Sequence, residues 1–355
     1  MATIYAIKAM LLEEVLLNLL KDSGYITVNN AENDPTLKDG SAGIEVKGRG
    51  WNHQIDAIAD FAMSPPFSYP IRLLLEAKFY ADKIGIDIVR NAVGVLKDVD
   101  EFWVSNNLNR MSKPRYHYQY AIFTSSAFTF PAQQYAFAQD IYLIKLENNK
   151  YFLPIVNAIE DLTFEDFNGD SDRKIEINLS DLRKTVRESL KNNSDYSLRN
   201  YIGNNAFSQE KFTNIFQKST TLSSSYLGMI SNRFPIFLTP SPTFDIDSLI
   251  SDPTIRICWD NEYWYIVKST ANCRHLSNDE ILFSFDLPED IFKLYADSDM
   301  LSPRRALDLK GELMSSIQIV FKSLDQRIIS SIELKLDDDW LEKAKEHING
   351  EDTHL

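Results

Sequence analysis

Asp56, Glu76 and Lys78 stand close together early in the chain, and these are residue types that phosphoryl chemistry uses. Side chains in a strand alternate faces. In the run "IRLLLEAKFY", Glu76 and Lys78 therefore point the same way, with Ala77 opposite. The preceding run "HQIDAIADFAM" alternates as a strand and sets Asp56, Ile58 and Asp60 on one face. If the two strands pair, Asp56 sits beside Glu76 near one edge of the sheet. Two carboxylates at ~4–5 Å repel unless a cation lies between them. Mg²⁺ is the natural candidate, because it prefers hard oxygen ligands and retained waters. Lys78 then holds an ammonium near an attacking water and offsets negative charge. A polarising metal, an oriented water and charge stabilisation are the parts that phosphodiester hydrolysis needs. The bare triplet is equally what a partly buried Glu76–Lys78 ion pair looks like. A run of apolar neighbours is a costly setting for such a pair without a function.

The elements that must position these residues are legible in the apolar periodicity. Residues 4–22 read as a helix, with Ile7, Leu11, Leu12, Val15, Leu16, Leu19 and Leu20 on one arc, stopped by Ser23-Gly24. "YITV" and "IEVKGRG" read as strands separated by a loop rich in Asn, Asp, Gly and Pro. "IRLLLEAKFY" is almost wholly apolar and reads as a strand buried on both faces. A helix over "GIDIVRNAVGVLKDVDEFWVSN", a strand over "YQYAIFTSS", a helix opened by Pro131 and a strand over "IYLIKLE" follow. This order predicts an α/β domain over residues 1–150, a mixed sheet flanked by helices. Residues 151–175, with the polar stretch "FEDFNGDSDRKIE", read as a linker. Residues 176–355 read as a second, α+β domain with two helices followed by strand-like runs and a final helix. Its aromatics, as in "CWDNEYWYIV", are at strand spacing and read as core rather than as base-stacking surfaces.

Apolar residues are 44% and charged residues 25% of the 355, which fits a globular protein with a sizeable core. The net charge of -14 argues against a general nucleic-acid coat. It is unevenly spread: residues 1–130 hold 13 Lys and Arg against 15 Asp and Glu, so most of the excess lies beyond them. The first part remains compatible with a nucleic-acid substrate, and the acidic remainder suits a protein or small-ligand contact. Cys258 and Cys273 are too few for a disulfide framework and read as two free thiols in a reducing cytosol. The opening run "MATIYAIKAMLLEEVLLNLL" is broken by Lys8, Glu13, Glu14 and Asn18 and reads as an amphipathic helix, not a leader. No window is apolar for long enough to form a membrane helix, so a cytoplasmic protein without membrane contact is expected.

Several pieces match in order the Mrr-like branch of the PD-(D/E)xK restriction-endonuclease superfamily. "LEEVLLNLLKDSGY" resembles the family's opening helix, "GRGWNHQIDAI" the loop and strand with the metal-binding Asp, and "YPIRLLLEAKFY" the Glu-x-Lys strand. "VRNAVGVLKDV" resembles the helix behind that strand, and "AIFTSSAFTFPAQQYAFAQDIYLIKLE" the closing strand, helix and strand. The resemblance implies a restriction-endonuclease-like fold over the first 148 residues. It implies a Mg²⁺-dependent endonuclease acting on DNA (with Mn²⁺ as substitute and RNA kept open), working in defence against foreign DNA. Asp56 and Glu76 would bind the metal, Lys78 would position and activate water, and a helix glutamate would assist. Spacing to Gly24 favours Glu13 over Glu14 for that last role, with both left open. Many Mrr-like proteins carry Gln-x-Lys where this chain has Glu76, a departure that adds a charged ligand. A homodimer or a partner protein in a defence complex also follows from the resemblance. Arg49, between Gly48 and Gly50, is a candidate phosphate contact, as is Arg90 on the second helix. Gln54 points with Asp56 in the alternating strand and is a candidate to line the site, whereas His53 points away. The competing reading is a nuclease-like module that binds without cutting.

Overall fold

The computed structural model describes residues 2–351 apart from 41–42, 105–113, 148, 168–174, 176, 193–197, 199, 203–205, 224–225, 232–233, 260–262, 287–302 and 323–328. The heart of the expected linker, 168–174, lies outside the described residues. The chain forms two compact units, Met1–Ser223 and Ser224–Leu355.

The first unit opens with α1 (Ile4–Asp22). The Thr3 hydroxyl accepts a hydrogen bond from the Ala6 amide at 3.2 Å and caps its start. At the other end Gly24 takes a φ of 91°, a turn that a side chain would strain. Its central sheet runs β1 (Tyr25–Val28), β5 (Ala57–Phe61), β6 (Ile71–Lys78), β7 (His117–Thr124) and β8 (Ile141–Lys145) in spatial order. The first two pairings are antiparallel and the last two parallel, so the sheet is mixed. This is the α/β architecture expected, with helices flanking the sheet. One face carries Ile58, Leu74, Tyr120 and Ile122 against α2 (Ile86–Asp100) and α3 (Phe130–Ala138). A small sheet of β2 (Leu37–Asp39), β3 (Ile44–Lys47) and β4 (Asn52–Gln54) adds Leu37 and Val46 to the same cluster. Ala57, Ala59, Leu73, Leu75 and Ala77 alternate to the other face and are buried, and α1 packs on β5 and β6.

The expected linker is instead part of this unit. α4 (Leu153–Glu160) buries Ile155, Val156 and Ile159. Together with α5 (Leu179–Asn192) and α6 (Ala206–Ser223) it packs on α1. The boundary between units therefore falls at 223/224, not at 150–176. Polar composition suggested a linker at 151–175, yet the exposed turns of this stretch alternate with apolar positions that α1 needs for cover.

The second unit is a closed barrel in the order β10 (Phe234–Pro240), β13 (Ile281–Phe285), β12 (Trp264–Lys268), β11 (Thr254–Trp259), β15 (Ile329–Leu336), β14 (Ser316–Lys322), β9 (Tyr226–Ile230). The helices α7 (Ile246–Ser251), α8 (Pro303–Leu313) and α9 (Asp338–Glu351) accompany it, so it is α+β as expected but starts later. Phe283, Phe285, Ile266, Ile317 and Leu334 fill its core, and Trp264 joins them. Trp259 is exposed and stacks on Trp264 at 5.9 Å. The expectation of free thiols does not hold: Cys258 and Cys273 form a disulfide. The chain leaving β12 folds back over β11, which brings their Cα atoms to 5.3 Å, a closure that a 15-residue separation does not reveal.

Candidate active site at the end of the central strand

β6 is a strand because Leu73, Leu74, Leu75 and Ala77 are all buried, each facing one of the two packed layers. Its register opposite β7 runs unbroken from Ile71–His117 to Lys78–Thr124. Ala57 lies opposite Leu75 on β5, so Asp56, one residue earlier, falls opposite Glu76. The run "HQIDAIADFAM" is not one strand, however. It breaks at Ile55-Asp56, between β4 of the small sheet and β5 of the large one. The break frees the Asp56 carboxylate to turn across β6, where its Oδ2 accepts the Ala77 amide at 3.0 Å.

Glu76 and Lys78 share a face, and Lys78 Nζ stands 2.6 Å from Glu76 Oε1. The Tyr120 hydroxyl donates to Glu76 Oε2 at 2.9 Å. Burial, the Glu76 charge and this hydrogen bond push the Tyr120 phenol far above its usual range, so it remains a donor. Burial acts to lower Lys78, but Glu76, Asp56 and Tyr80 outweigh it and hold the ammonium above its ordinary value. The Lys78 side chain keeps 19% of its surface exposed, so it is not sealed in hydrocarbon.

Glu13 of α1 belongs to the same cluster. Its carboxyl is pushed up to about 8, first by burial and then by the Asp56 charge, with Arg183 and Lys78 pulling the other way. Asp56 is likewise raised, by burial first and by Glu76 against the help of the Ala77 amide, Lys78 and Arg183. Glu13 and Glu14 part ways here. Glu13 binds Arg183 at 2.5 Å and faces Asp56 and Lys78. Glu14 is held in a fork by Arg187 Nε and a terminal nitrogen at 2.8 and 2.7 Å. Arg183 also stands 3.9 Å from Glu14, but of the two glutamates it is Glu13 that feels the Asp56 and Lys78 charges.

The other candidates lie elsewhere. Gln54 is exposed on β4, opposite Glu45 of β3, and the strand break takes it out of the alternation shared with Asp56. Arg49 pairs with Glu101 at 2.8 Å. The turn around it already holds an anion: Asp98 accepts from the Gly50 amide at 2.8 Å, the Trp51 amide at 3.2 Å and His53 Nε2 at 2.7 Å. A Cβ at Gly48 would overlap the Asp98 carboxylate, so the glycine serves this internal contact. Arg90 is exposed on α2, 3.3 Å from Asp87. Arg183, Arg187 and Tyr120 were not singled out in the sequence. The spacing of the two arginines, one helical turn apart on α5, is the signal that was available.

Carboxylates drawn from Asp56, Glu76 and Glu13 are hard oxygen donors of the kind Mg²⁺ or Mn²⁺ takes. Their mutual repulsion is what a divalent cation would relieve. Among the described residues no group of three or more His, Cys, Asp or Glu already stands at metal-holding spacing. No family model matches the chain. No curated protein matches it either. Among solved structures, the crystal structure described as "Protein of Unknown Function AF1548" is similar at 17% identity and a TM-score of 0.34, over 60% of this chain and 98% of that one. A likeness of that size carries no argument about function.

Proposed function

We propose that the first unit is a metal-dependent endonuclease of restriction-endonuclease type that hydrolyses DNA, with RNA as the alternative substrate. The observation that carries this reading is the meeting of Asp56, Glu76 and Lys78 at one end of the sheet with Glu13 reaching in from α1. Asp56, Glu76 and Glu13 would hold Mg²⁺ or Mn²⁺, which supplies Lewis-acid polarisation of the phosphoryl oxygen. Tyr120 fixes one oxygen of Glu76, and Arg183 orients Glu13. Lys78 stays charged, so it orients a water and stabilises developing negative charge rather than taking a proton. Defence against foreign DNA, a cytoplasmic location and action as a homodimer or within a defence complex belong to the same proposal. No described helix is long and apolar enough to cross a membrane. In a reducing cytosol Cys258 and Cys273 would stand as neighbouring thiols.

The test is incubation of the protein with plasmid, linear and modified DNA and with RNA, in Mg²⁺, in Mn²⁺ and in EDTA, beside Lys78→Ala. Cleavage that needs the metal and Lys78 supports the proposal. A second reading, a module that docks nucleic acid or protein without cutting, draws on the spacing of the carboxylates and on the ion pair that occupies Glu76. It is favoured if no condition yields cleavage, alone or with cell extract added, while Asp56→Ala leaves binding intact.

A further inference from the structure

At the opposite end of β6 and β7 from Lys78 lies a half-open cleft of about 260 Å³. The register from Ile71–His117 to Lys78–Thr124 spans seven residue steps, which at ~3.3 Å each separates the cleft from Lys78 by roughly 23 Å and from Glu76, five steps along, by roughly 17 Å. Tyr69, Trp103, Tyr116 and Tyr118 line it, together with Arg115 and Asp100. The rings come from three places: the loop before β6, the turn after α2 and the stretch from Tyr116 into the start of β7. None of them is required by the chemistry proposed above. Tyr69 is 41% exposed, which is a large aromatic surface to leave in water.

The Arg115 guanidinium carbon stands 3.9 Å from the Trp103 ring centre and 4.6 Å from that of Tyr69. A terminal nitrogen donates to the Tyr69 hydroxyl at 2.9 Å. The seat that an aromatic cage offers to a cation is therefore taken by the protein's own guanidinium. A second cation would meet repulsion there. A flat, neutral ring would instead find a guanidinium plane and aromatic faces on which to stack. Asp100 supplies the polar edge. Its carboxyl is fixed by the Tyr118 backbone amide and raised by burial, which suits it to accept from an exocyclic amine as carboxylates do from cytosine. At ~30 Å³ per water the cleft has room for roughly eight waters, enough for one base and part of its sugar.

We infer that this cleft, built on Trp103, Arg115 and Asp100, binds a single amino-bearing nucleobase. That base comes either from a free nucleotide or from a single strand. The site stands apart from the phosphodiesterase reading and does not need it.

The test measures binding to the full chain in EDTA, so that no cleavage enters the result. Titration calorimetry with CMP, AMP, GMP, UMP and trimethyllysine, and with a short single-stranded oligonucleotide, is run on the wild type, Trp103→Ala, Arg115→Ala and Trp259→Ala, the last removing an exposed aromatic of the second unit. The expected result is binding of CMP or AMP several-fold tighter than UMP, weakened about tenfold or more by either cleft variant and unchanged by Trp259→Ala. If the oligonucleotide alone binds, with the same dependence on Trp103 and Arg115, the source is a strand; if the free nucleotide binds, it is a nucleotide. Circular dichroism checks each fold, and Trp103→Phe, which keeps a stacking face, retains binding. Absence of binding to every probe at millimolar concentration overturns the inference, as does binding indifferent to both cleft variants. Tighter binding of trimethyllysine than of any nucleotide would also overturn it.

Discussion

At the start of β6, Arg72 is 1% exposed and meets Asp60 at 2.6 Å, Asp34 at 2.7 Å and the Thr36 hydroxyl at 2.8 Å, with its guanidinium carbon 3.8 Å over the Tyr116 ring. At the end of the same strand, Lys78 and Arg183 face Glu76, Asp56 and Glu13. Both groups are charged clusters on one sheet, yet their titration runs in opposite senses. Burial opposes ionisation of Asp34, but the Thr36 hydroxyl, Arg72 and the Thr36 amide outweigh it and hold the carboxyl below its usual value. Burial likewise dominates at Glu13 and Asp56, and there the neighbouring carboxylates add to it, so both are raised. Each cluster has one carboxylate more than it has cations, so the difference lies in where the hydrogen bonds fall. Arg72 and Thr36 bond Asp34 and Arg72 forks Asp60 in the first, whereas the second leaves the Asp56 and Glu13 carboxyls buried beside like charge. A structural network minimises that kind of frustration, and a site meant for an added cation tolerates it.

Arg72→Met should therefore have the largest effect on the fold. Leaving Asp34 and Asp60 without their cation is expected to cost about 3–5 kcal/mol, read by urea denaturation of the first unit. A variant as stable as the wild type would erase the distinction. Lys78→Ala and Asp56→Asn should do the reverse, losing at least about a hundredfold in metal-dependent cleavage while melting close to the wild type. If both variants unfold instead, the end of β6 is a second structural network. Arg187→Ala removes the fork on the buried Glu14 and is expected to cost about 1–3 kcal/mol. Arg183→Ala should instead lower turnover more than stability, because its partner faces the site.

The dependence of stability on pH differs in sign between the two clusters. Asp34, with a lowered value, contributes stability that is present above its unfolded pKa and lost as the pH falls through the folded one. Glu13 starts from an ordinary value of 4.5 and is raised to about 8, so its contribution is present below 4.5 and lost as the pH rises toward 8. Melting in EDTA across that window should show the wild type falling more steeply than Glu13→Gln, while Asp34→Asn loses less than the wild type on acidification. Mg²⁺ should raise the melting temperature of the wild type more at pH 8 than at pH 5, since protons compete for the same carboxylates, and should leave Asp56→Ala unmoved. Parallel profiles for wild type and Glu13→Gln would remove Glu13 from the site.

Much of the first unit was legible because its signals are local. The arc of leucines in α1, the apolar run of β6 and Pro131 at the head of α3 each follow from side-chain periodicity or a fixed φ. The Glu76–Lys78 pair on one face follows from strand alternation alone. The same rule misplaced Gln54, because alternation assumes an unbroken strand and this chain changes sheets between Gln54 and Ala57. In the second unit, the strand-like runs "YLGMISNRFPIFLTPS" and "IRICWDNEYWYIVKS" each hold two strands, the antiparallel pairs β9–β10 and β11–β12.

The sequence by itself determined the helices and strands of the sheet and the side of β6 on which Glu76 and Lys78 stand. Only the tertiary structure decided that α4, α5 and α6 close over α1, and so which of Glu13 and Glu14 faces the site. The choice rests on Arg183 and Arg187, which lie 170 and 173 residues further along the chain. Periodicity reports how a segment meets the core. It carries no information about which distant charge will be buried beside a given carboxylate, because that depends on packing among elements that share no local register.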